Sequence, residues 1–285
     1  MAQNVRTIKR RIANIENIRQ ITKAMNAIAM TKLTRMKRRL EPVRPYVADL
    51  ERFIAHLLAQ APEGSSLHPL MAKNGSDAVG ILVINADRGL CGRFQGEINR
   101  AAEELLAQAN GRGKLLAGGE KARSYFSSRR RVEVLRAYPH LYEEPTPQAA
   151  HRIAQDVIEL YTNGQIGRLI VVGMRFISDL AQRVVTEELL PIRVAPQGRE
   201  AIIEPGELPE MLGIALPLYI EGKIFGTLIE TKTSEHAIRR QAMKNATDNA
   251  DDLLTVLTRF YHKARQQSIT REIADIVGGA EALRE

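Results

Sequence analysis

The residues best placed for chemistry follow a short apolar run near the middle of the chain. Residues 78–84 (AVGILVI) are typical of a buried parallel strand, and Asp87, Arg88 and Cys91 come directly after it. α/β enzymes place their sites at the carboxyl ends of such strands. A cysteine at a helix start can have a lowered pKa and act as a nucleophile. Because no histidine lies near Cys91 in the sequence, packing is the favoured interpretation.

The glycines after this run do not form a nucleotide-binding motif. Gly89, Gly92 and Gly96 stand as G-x-x-G-x-x-x-G, which differs from the G-x-G-x-x-G dinucleotide fingerprint. The sequence contains no G-x-x-x-x-G-K-[ST] phosphate loop and no H-E-x-x-H zinc pair. Its six histidines are scattered, and its single cysteine excludes an internal disulfide framework and a zinc cluster. We therefore predict that the chain binds no cofactor or metal of its own.

An α/β domain is expected to carry the turn at residues 87–92. Further short strands are predicted at 114–117, 131–135, 168–172 and 183–190, and the last two are predicted to pair antiparallel. Helices are predicted from the turn to about 109, from 118 to 126 and from 145 to 161. Strands that alternate with helices indicate a Rossmann-like α/β globular domain with a mostly parallel sheet, over about 77–205.

Two long amphipathic segments bracket this domain. From Val5 to Leu40, and again from Ser234 to Leu283, apolar residues recur three or four positions apart. Stripes of this length favour a coiled coil over two ordinary helices of a bundle. We predict that an N-terminal helix (1–60) and a C-terminal helix (206–285) pair as an antiparallel two-helix coiled coil. The predicted stripe includes Ile18, Ile21, Met25, Ile28, Leu253, Phe260, Ile269, Ile273 and Ile276.

Prolines and glycines interrupt both long segments. Pro42 and Pro45 predict a kink or a short break in the first helix. Residues 206–233 are apolar but contain Gly213, Pro217, Gly222 and Gly226, which each disfavour the interior of a helix. We therefore predict that the second helix is kinked near 213–226, or that it restarts with Pro217 in its first turn.

The basic charge is concentrated at the N-terminus. The chain has a net charge of +8, and residues 1–44 carry twelve lysines and arginines against two glutamates. Such a helix suits nucleic acid, an anionic membrane surface or an acidic protein partner. No aromatic residue lies before Arg44 to stack on bases, and no recognised DNA-binding motif is present. No apolar run approaches the ~18 residues of a membrane span, so none is expected.

Three blocks of the sequence resemble the gamma subunit of the F-type ATP synthase, the central rotor shaft. The first block is IRQITKAM at 18–25 with AMTKL at 29–33, and the second is DRGLCG at 87–92. The third block comprises AMKNATDNA at 242–250, ARQQSITREI at 264–273 and IVGGA at 276–280. The blocks occur in the family's order and cover effectively the whole chain.

The resemblance implies a fold and a role. It implies two long helices coiled antiparallel, with an α/β domain beside their lower half. The coil would stand inside a ring of three alpha and three beta subunits, with the epsilon subunit and the membrane c-ring at its foot. Proton or sodium flow would turn this shaft and drive the beta-subunit sites through their catalytic states. The chain itself would be no enzyme, because nucleotide and Mg bind the alpha and beta subunits.

The resemblance also implies which residues contact the ring. Arg265 and Gln266 match a pair that touches a beta-subunit loop. The other matched positions are Met25, Lys32, Arg239, Thr270, Glu272, Ile273 and Ile276. Met25 could equally well lie in the core of the coiled coil instead of touching the ring. The alternative for Lys32 is a place on a solvated face of its helix. The implied location is the cytoplasmic face of the bacterial membrane, as a peripheral protein. The competing hypotheses are a basic coiled coil that binds nucleic acid and a Rossmann-like enzyme.

Overall fold

The computed structural model describes residues 2–60, 68–128, 132–140, 143–196 and 208–282. The chain divides into two compact units, which are Met1–Ala29 with Arg240–Glu285 and the intervening Met30–Arg239. The boundary between the units falls inside both long helices. Each helix therefore contributes residues to both units.

The second unit contains a five-stranded sheet with the strand order β3-β2-β1-β4-β5. Its strands are β1 (Val79–Ile84), β2 (Gly113–Gly118), β3 (Glu133–Tyr138), β4 (Arg168–Phe176) and β5 (Gln182–Leu190). The pairs β1–β2, β2–β3 and β1–β4 are parallel, whereas β4 and β5 are antiparallel. The predicted mostly parallel sheet with one antiparallel pair is confirmed. The predicted start of the third strand, Arg131, lies outside the described residues.

Two layers of helices cover the two faces of this sheet. Side chains alternate along β1, so Ile81 and Val83 pack in one core with α2 (Phe94–Gln108) and α3 (Glu120–Ser127). Leu82 and Ile84 pack in the opposite core with α4 (Pro147–Thr162) and with residues of both long helices. This arrangement is the three-layered α/β domain that the alternating pattern predicts.

The two long helices are α1 (Ala2–Leu58) and α5 (Leu208–Ala282), and both are continuous. The structure therefore contradicts a break in α1 at Pro42 and Pro45 and a restart of α5 at Pro217, whereas the alternative of a kink in each helix stays a prediction. Tertiary packing outweighs these local costs, since most helical stability in proteins comes from a buried face. In α5 the turn around Pro217 is anchored by Leu216 and Ile220, which are both fully buried.

Close approach of the two helices explains two of the glycines in α5. A Cβ on Gly222 would lie 3.1 Å from Leu50 Cδ1, and one on Gly226 would lie 3.5 Å from Val47 Cγ2. An ion pair flanks this contact, in which Arg44 Nε lies 2.7 Å from Glu230 Oε1. The sequence numbers rise along α1 as they fall along α5, so the helices of this unit pair antiparallel, as predicted.

Antiparallel pairing also holds within the first unit. Arg19 Nη1 lies 3.0 Å from Asp251 Oδ1, and the Thr247 hydroxyl donates to Thr22 Oγ1 at 2.8 Å. Much of the predicted apolar stripe remains exposed, because a two-stranded coil buries only a narrow seam. Small and polar residues such as Thr22 fill that seam. The stripe residues that remain exposed are Ile18, Ile21, Ile28, Leu253, Phe260, Ile269, Ile273 and Ile276.

Helix α5 also contains a window that is long and apolar enough to cross a membrane. The window falls within Leu208–Val277, has a mean hydropathy of 1.4 and is half buried inside the protein. This window is not the uninterrupted apolar run on which the expectation of no span was based, so that expectation stays a prediction. A buried core helix passes the same test, so the window is weak evidence for a span.

Candidate functional site

Asp87 anchors the turn at the carboxyl end of β1. Its side chain is buried, and Oδ1 accepts hydrogen bonds from the backbone N–H of Glu120 at 2.8 Å and of His140 at 2.9 Å. A carboxylate at this position caps the N-terminus of α3, where the helix dipole favours negative charge. Asp87 thus links the turn after β1 to the segments that follow β2 and β3, which is a structural role.

The other residues of the turn divide between an exposed tip and a buried base. Arg88 is exposed and forms an ion pair with Glu143 at 2.7 Å. Leu90 projects into solvent with a positive φ of 61°, and Gly92 has a φ of 51°. Cys91 is buried, and burial together with the charge of Glu235 raises the pKa of its thiol. A thiol with a raised pKa is a poor nucleophile, which supports the packing interpretation.

Helix α5 fills the crevice where an α/β protein would hold a ligand. That crevice lies where the strand order reverses, here between the carboxyl ends of β1 and β4. At β4, the Met174 N–H donates to Thr231 Oγ1 at 3.0 Å. At β1, Arg239 Nη2 donates to the Gly89 carbonyl at 3.3 Å. The chain's own helix therefore occupies the position of a substrate.

A buried ionic cluster lies at this junction. The Glu235 carboxylate, which is 1% exposed, accepts from Lys232 Nζ at 3.0 Å and pairs with Arg239 Nη1 at 2.6 Å. Burial alone would raise the pKa of Glu235, but the two cations hold that pKa below its ordinary value. Next to it, burial lowers the pKa of His236 to about 4. The neighbouring Lys232 and Arg239 act in the same direction, against the attraction of Glu235.

The buried His236 predicts a loss of stability in acid. Below the ordinary imidazole pKa of about 6.5, the unfolded chain binds a proton that the folded chain does not bind until about pH 4. We expect this group to lower the free energy of unfolding by about 2 kcal/mol between roughly pH 7 and pH 5. In urea unfolding, the free energy of unfolding of His236→Gln should fall less than that of the parent as the pH is lowered from 7 to 5. The same change at the exposed His262 should leave the pH dependence of the parent unaltered. An equal pH dependence of the free energy of unfolding in the parent and in His236→Gln would contradict this account.

A groove of about 480 Å³ lies between the long helices and the β4–β5 hairpin. Its walls combine apolar side chains with charged ones, and several of the charged groups form ion pairs, such as Lys223 with Glu187 at 2.7 Å. Among the described residues, none that lines the groove is a cysteine, serine or histidine, and the Thr227 hydroxyl donates to the Lys223 carbonyl of its own helix. These lining residues therefore offer no nucleophile–base pair of the kind that a hydrolase uses. No group of three potential metal ligands occurs in the part of the chain that the structure describes.

Six of the nine residues that the resemblance implies to touch a ring of partner subunits are exposed towards the end of α5. Those of the first unit lie on two neighbouring rows of the helix surface, with a spacing of three or four residues. One row runs through 265, 269, 272 and 276, and the other runs through 266, 270, 273 and 277. The exposed members that the sequence singled out are Arg265, Gln266, Thr270, Glu272, Ile273 and Ile276.

The three remaining predicted contact residues differ from one another. Met25 is half-buried in the first unit, and Lys32 is exposed in the second. Arg239 points inward, with only 11% of its side chain exposed, and contacts the turn at 87–92. The structure thus brings Arg239 together with the turn, which the sequence had named separately.

Sequence reasoning missed the buried polar residues of α5. Thr231, Lys232 and Glu235 are all less than a tenth exposed, although each is polar or charged. The only sequence clue was the placement of two basic residues three before and four after Glu235, which puts opposite charges on one helix face. Such spacing normally indicates a solvated face, so burial could not be inferred from it.

The sequence is similar to ATP synthase gamma chains over its whole length. A family model described as ATP synthase matches residues 4–283. The gamma chain of Desulfitobacterium hafniense is 36% identical over 282 residues, covering 98% of this chain and 99% of the relative. That of Symbiobacterium thermophilum is 35% identical over 292 residues, with full coverage of both chains.

Solved structures support the fold. A chain of the mitochondrial ATP synthase of Euglena gracilis (OSCP/F1/c-ring) matches with a TM-score of 0.66 at 17% identity, covering 99% of this chain and 95% of that one. A chain of the central stalk and c-ring of the Tetrahymena thermophila enzyme matches with a TM-score of 0.60 at 22% identity, covering 79% of this chain and 99% of that one. At these identities the likeness concerns the fold alone.

Proposed function

This chain belongs to the gamma-chain family of ATP synthases, and we propose that it works as the rotor of the central stalk without a catalytic site of its own. In this role it couples rotation of the c-ring to the conformational cycle of catalytic sites on beta subunits. The main support is the full-length similarity to gamma chains, together with a ligand crevice that is filled by α5. The comparisons favour this function over nucleic-acid binding.

The exposed part of α5 suits a surface that moves past several partners in turn. Arg265 and Gln266 carry long polar side chains, which can form hydrogen bonds to carboxylates and break them again as the shaft turns. The apolar side chains of Ile273, Ile276 and Val277 remain exposed at that end of the helix. We propose that these apolar residues turn within the surrounding ring as a bearing with few polar contacts.

The partners follow from this function. We propose that one copy of the chain stands in a ring of three alpha and three beta subunits, with an epsilon subunit and the c-ring at its foot. Nucleotide and Mg would bind the alpha and beta subunits. The protein would then associate peripherally with the membrane, on the cytoplasmic face in a bacterium.

The proposal is tested by reconstitution with alpha and beta subunits. The purified chain should hydrolyse no ATP, and it should co-purify with the other two in a one-to-three-to-three complex. Addition of the chain should raise the ATPase rate of the alpha and beta mixture. ATP turnover by the isolated chain, or its failure to enter the complex, would refute the proposed function.

A further inference from the structure

One segment of α5 is enclosed on every side. Residues 231–238 are all buried, over more than two helical turns. A helix at the surface of a domain exposes one face, so eight consecutive buried residues mean that neighbours cover its whole circumference. Six of the eight enclosed residues are polar or charged, namely Thr231, Lys232, Thr233, Ser234, Glu235 and His236. This segment is therefore a joint that is built from polar contacts.

The first set of contacts attaches α5 to the end of β4. The Met174 N–H donates to Thr231 Oγ1 at 3.0 Å, and the Ser234 hydroxyl donates to the Met174 carbonyl at 3.4 Å. One residue before the joint, Glu230 Oε2 accepts from the Phe176 N–H at 2.7 Å. Side chains of the helix thus satisfy backbone groups of the strand, which fixes the position of the strand along the helix.

The second set of contacts attaches α5 to the turn after β1. Arg239 donates to the carbonyl oxygens of Arg88 at 3.5 Å and of Gly89 at 3.3 Å. Its guanidinium is in turn paired with Glu235 at 2.6 Å. Because Glu235 is buried, removal of its charge would take this carboxylate away from two cations in a poorly solvated place. Glu235 therefore determines where the Arg239 guanidinium lies.

The turn itself needs such support. Leu90 adopts a positive φ of 61° and exposes 61% of its surface. A left-handed conformation is unfavourable for a side chain of this type, and it persists where the surrounding structure enforces it. The two carbonyls that Arg239 holds belong to the residues just before Leu90. Their fixed positions favour the outward conformation of that side chain.

We infer that Glu235 is a positioning residue that sets Arg239 as a clamp between α5 and the turn at 87–92. The clamp and the β4 contacts join the α/β domain rigidly to the helix. The resemblance had suggested that Arg239 touches a beta subunit, whereas its guanidinium is engaged within this chain. The rigid joint has mechanical meaning only under the proposed rotor function, but the clamp itself can be tested without any partner.

Amide hydrogen exchange in the full chain tests the clamp. In Glu235→Gln and in Arg239→Gln, the amides of residues 88–92 should exchange about ten-fold faster, since each change removes a charge-assisted hydrogen bond. The double variant should be no faster than Arg239→Gln, because Glu235 acts on the turn through the contacts of Arg239. Arg239→Lys keeps the charge but loses the two-pronged donor, so it should fall between the parent and Arg239→Gln.

Arg93→Gln is the matched control. Arg93 pairs with Glu97 at 2.6 Å with the same four-residue spacing, but both side chains are exposed. In Arg93→Gln, the amides of residues 88–92 should exchange as fast as they do in the parent. Parent-like exchange at 88–92 in both clamp variants would overturn the inference, and so would equal acceleration of amides in β2, which indicates general destabilisation. If Glu235→Gln does not fold, Arg239→Lys decides between these outcomes.

The mechanical consequence is measured separately in the reconstituted complex. Glu235→Gln should lower the ion transport that accompanies each ATP hydrolysed, whereas Arg93→Gln should not. Unaltered coupling in Glu235→Gln would overturn the rigid-joint part of the inference. A parent chain that does not assemble would refute the proposed function, and the exchange result would still stand. The two failures are thereby distinguished.

Discussion

Alanine at both Arg265 and Gln266 is expected to reduce the torque and the coupled ATPase rate of the reconstituted complex by roughly five-fold or more. A hydrogen bond to a charged group contributes about 1.5–3 kcal/mol, which is enough to change a partner's conformational equilibrium about ten-fold. Both side chains are exposed, so truncation to alanine removes little buried contact among the described residues. The unfolding midpoint should therefore stay within the range of a surface substitution.

The matched control for this pair is Lys263→Ala. Lys263 is an exposed cation on the same helix, but it is not among the residues implied to touch the ring. Single-molecule torque and bulk ATPase rates of the double variant and the control should be measured side by side. Equal torque and equal ATPase rates for the double variant and the parent would contradict the assignment of Arg265 and Gln266 as contacts with a beta subunit.

Valine at Gly173 is expected to lower the free energy of unfolding by about 3 kcal/mol, through overpacking and one lost hydrogen bond. A Cβ there would lie 2.7 Å from both Thr227 Cγ2 and Thr231 Oγ1, closer than real contacts allow. The side chains of Thr227 and Thr231, or helix α5 itself, would have to shift, which would disrupt the bond between the Met174 N–H and Thr231.

Denaturant unfolding of Gly173→Val and Gly213→Val provides the measurement and its control. A Cβ on Gly213 would meet open space, and Gly213 lies in the same helix that Gly173 contacts. Gly213→Val should be as stable as the parent or more so, because glycine disfavours a helix interior. Equal stability of the two variants would contradict the close packing of α5 on β4.

The strands were predictable because a short apolar run between glycines and polar residues fits few structures other than a buried strand. The run at 78–84 became β1, and the short connection after Phe176 indicated the antiparallel pairing of β4 and β5. The long helices were predictable from their period of three and four. Pairing of the chain's two ends was predicted because two long amphipathic segments bracket the α/β domain.

Continuity and burial could not be predicted, because both depend on tertiary contacts. Pro217 disfavours a helix locally, yet packing of its neighbours keeps α5 unbroken. Ile21 looked like a core residue, but the narrow seam of two helices leaves it exposed. Glu235 looked like a surface charge, but the sheet and the turn enclose it. Only the fold shows which face of a helix meets a neighbour.

Single-molecule rotation tests the central claim most directly. A bead is attached to an exposed position of this chain within the complex of alpha and beta subunits, and ATP is added. The account predicts continuous rotation in one direction, driven by sites on the partners, while the chain alone turns over no ATP. A complex that hydrolyses ATP at full rate while the bead stays still would show that this chain is no rotor.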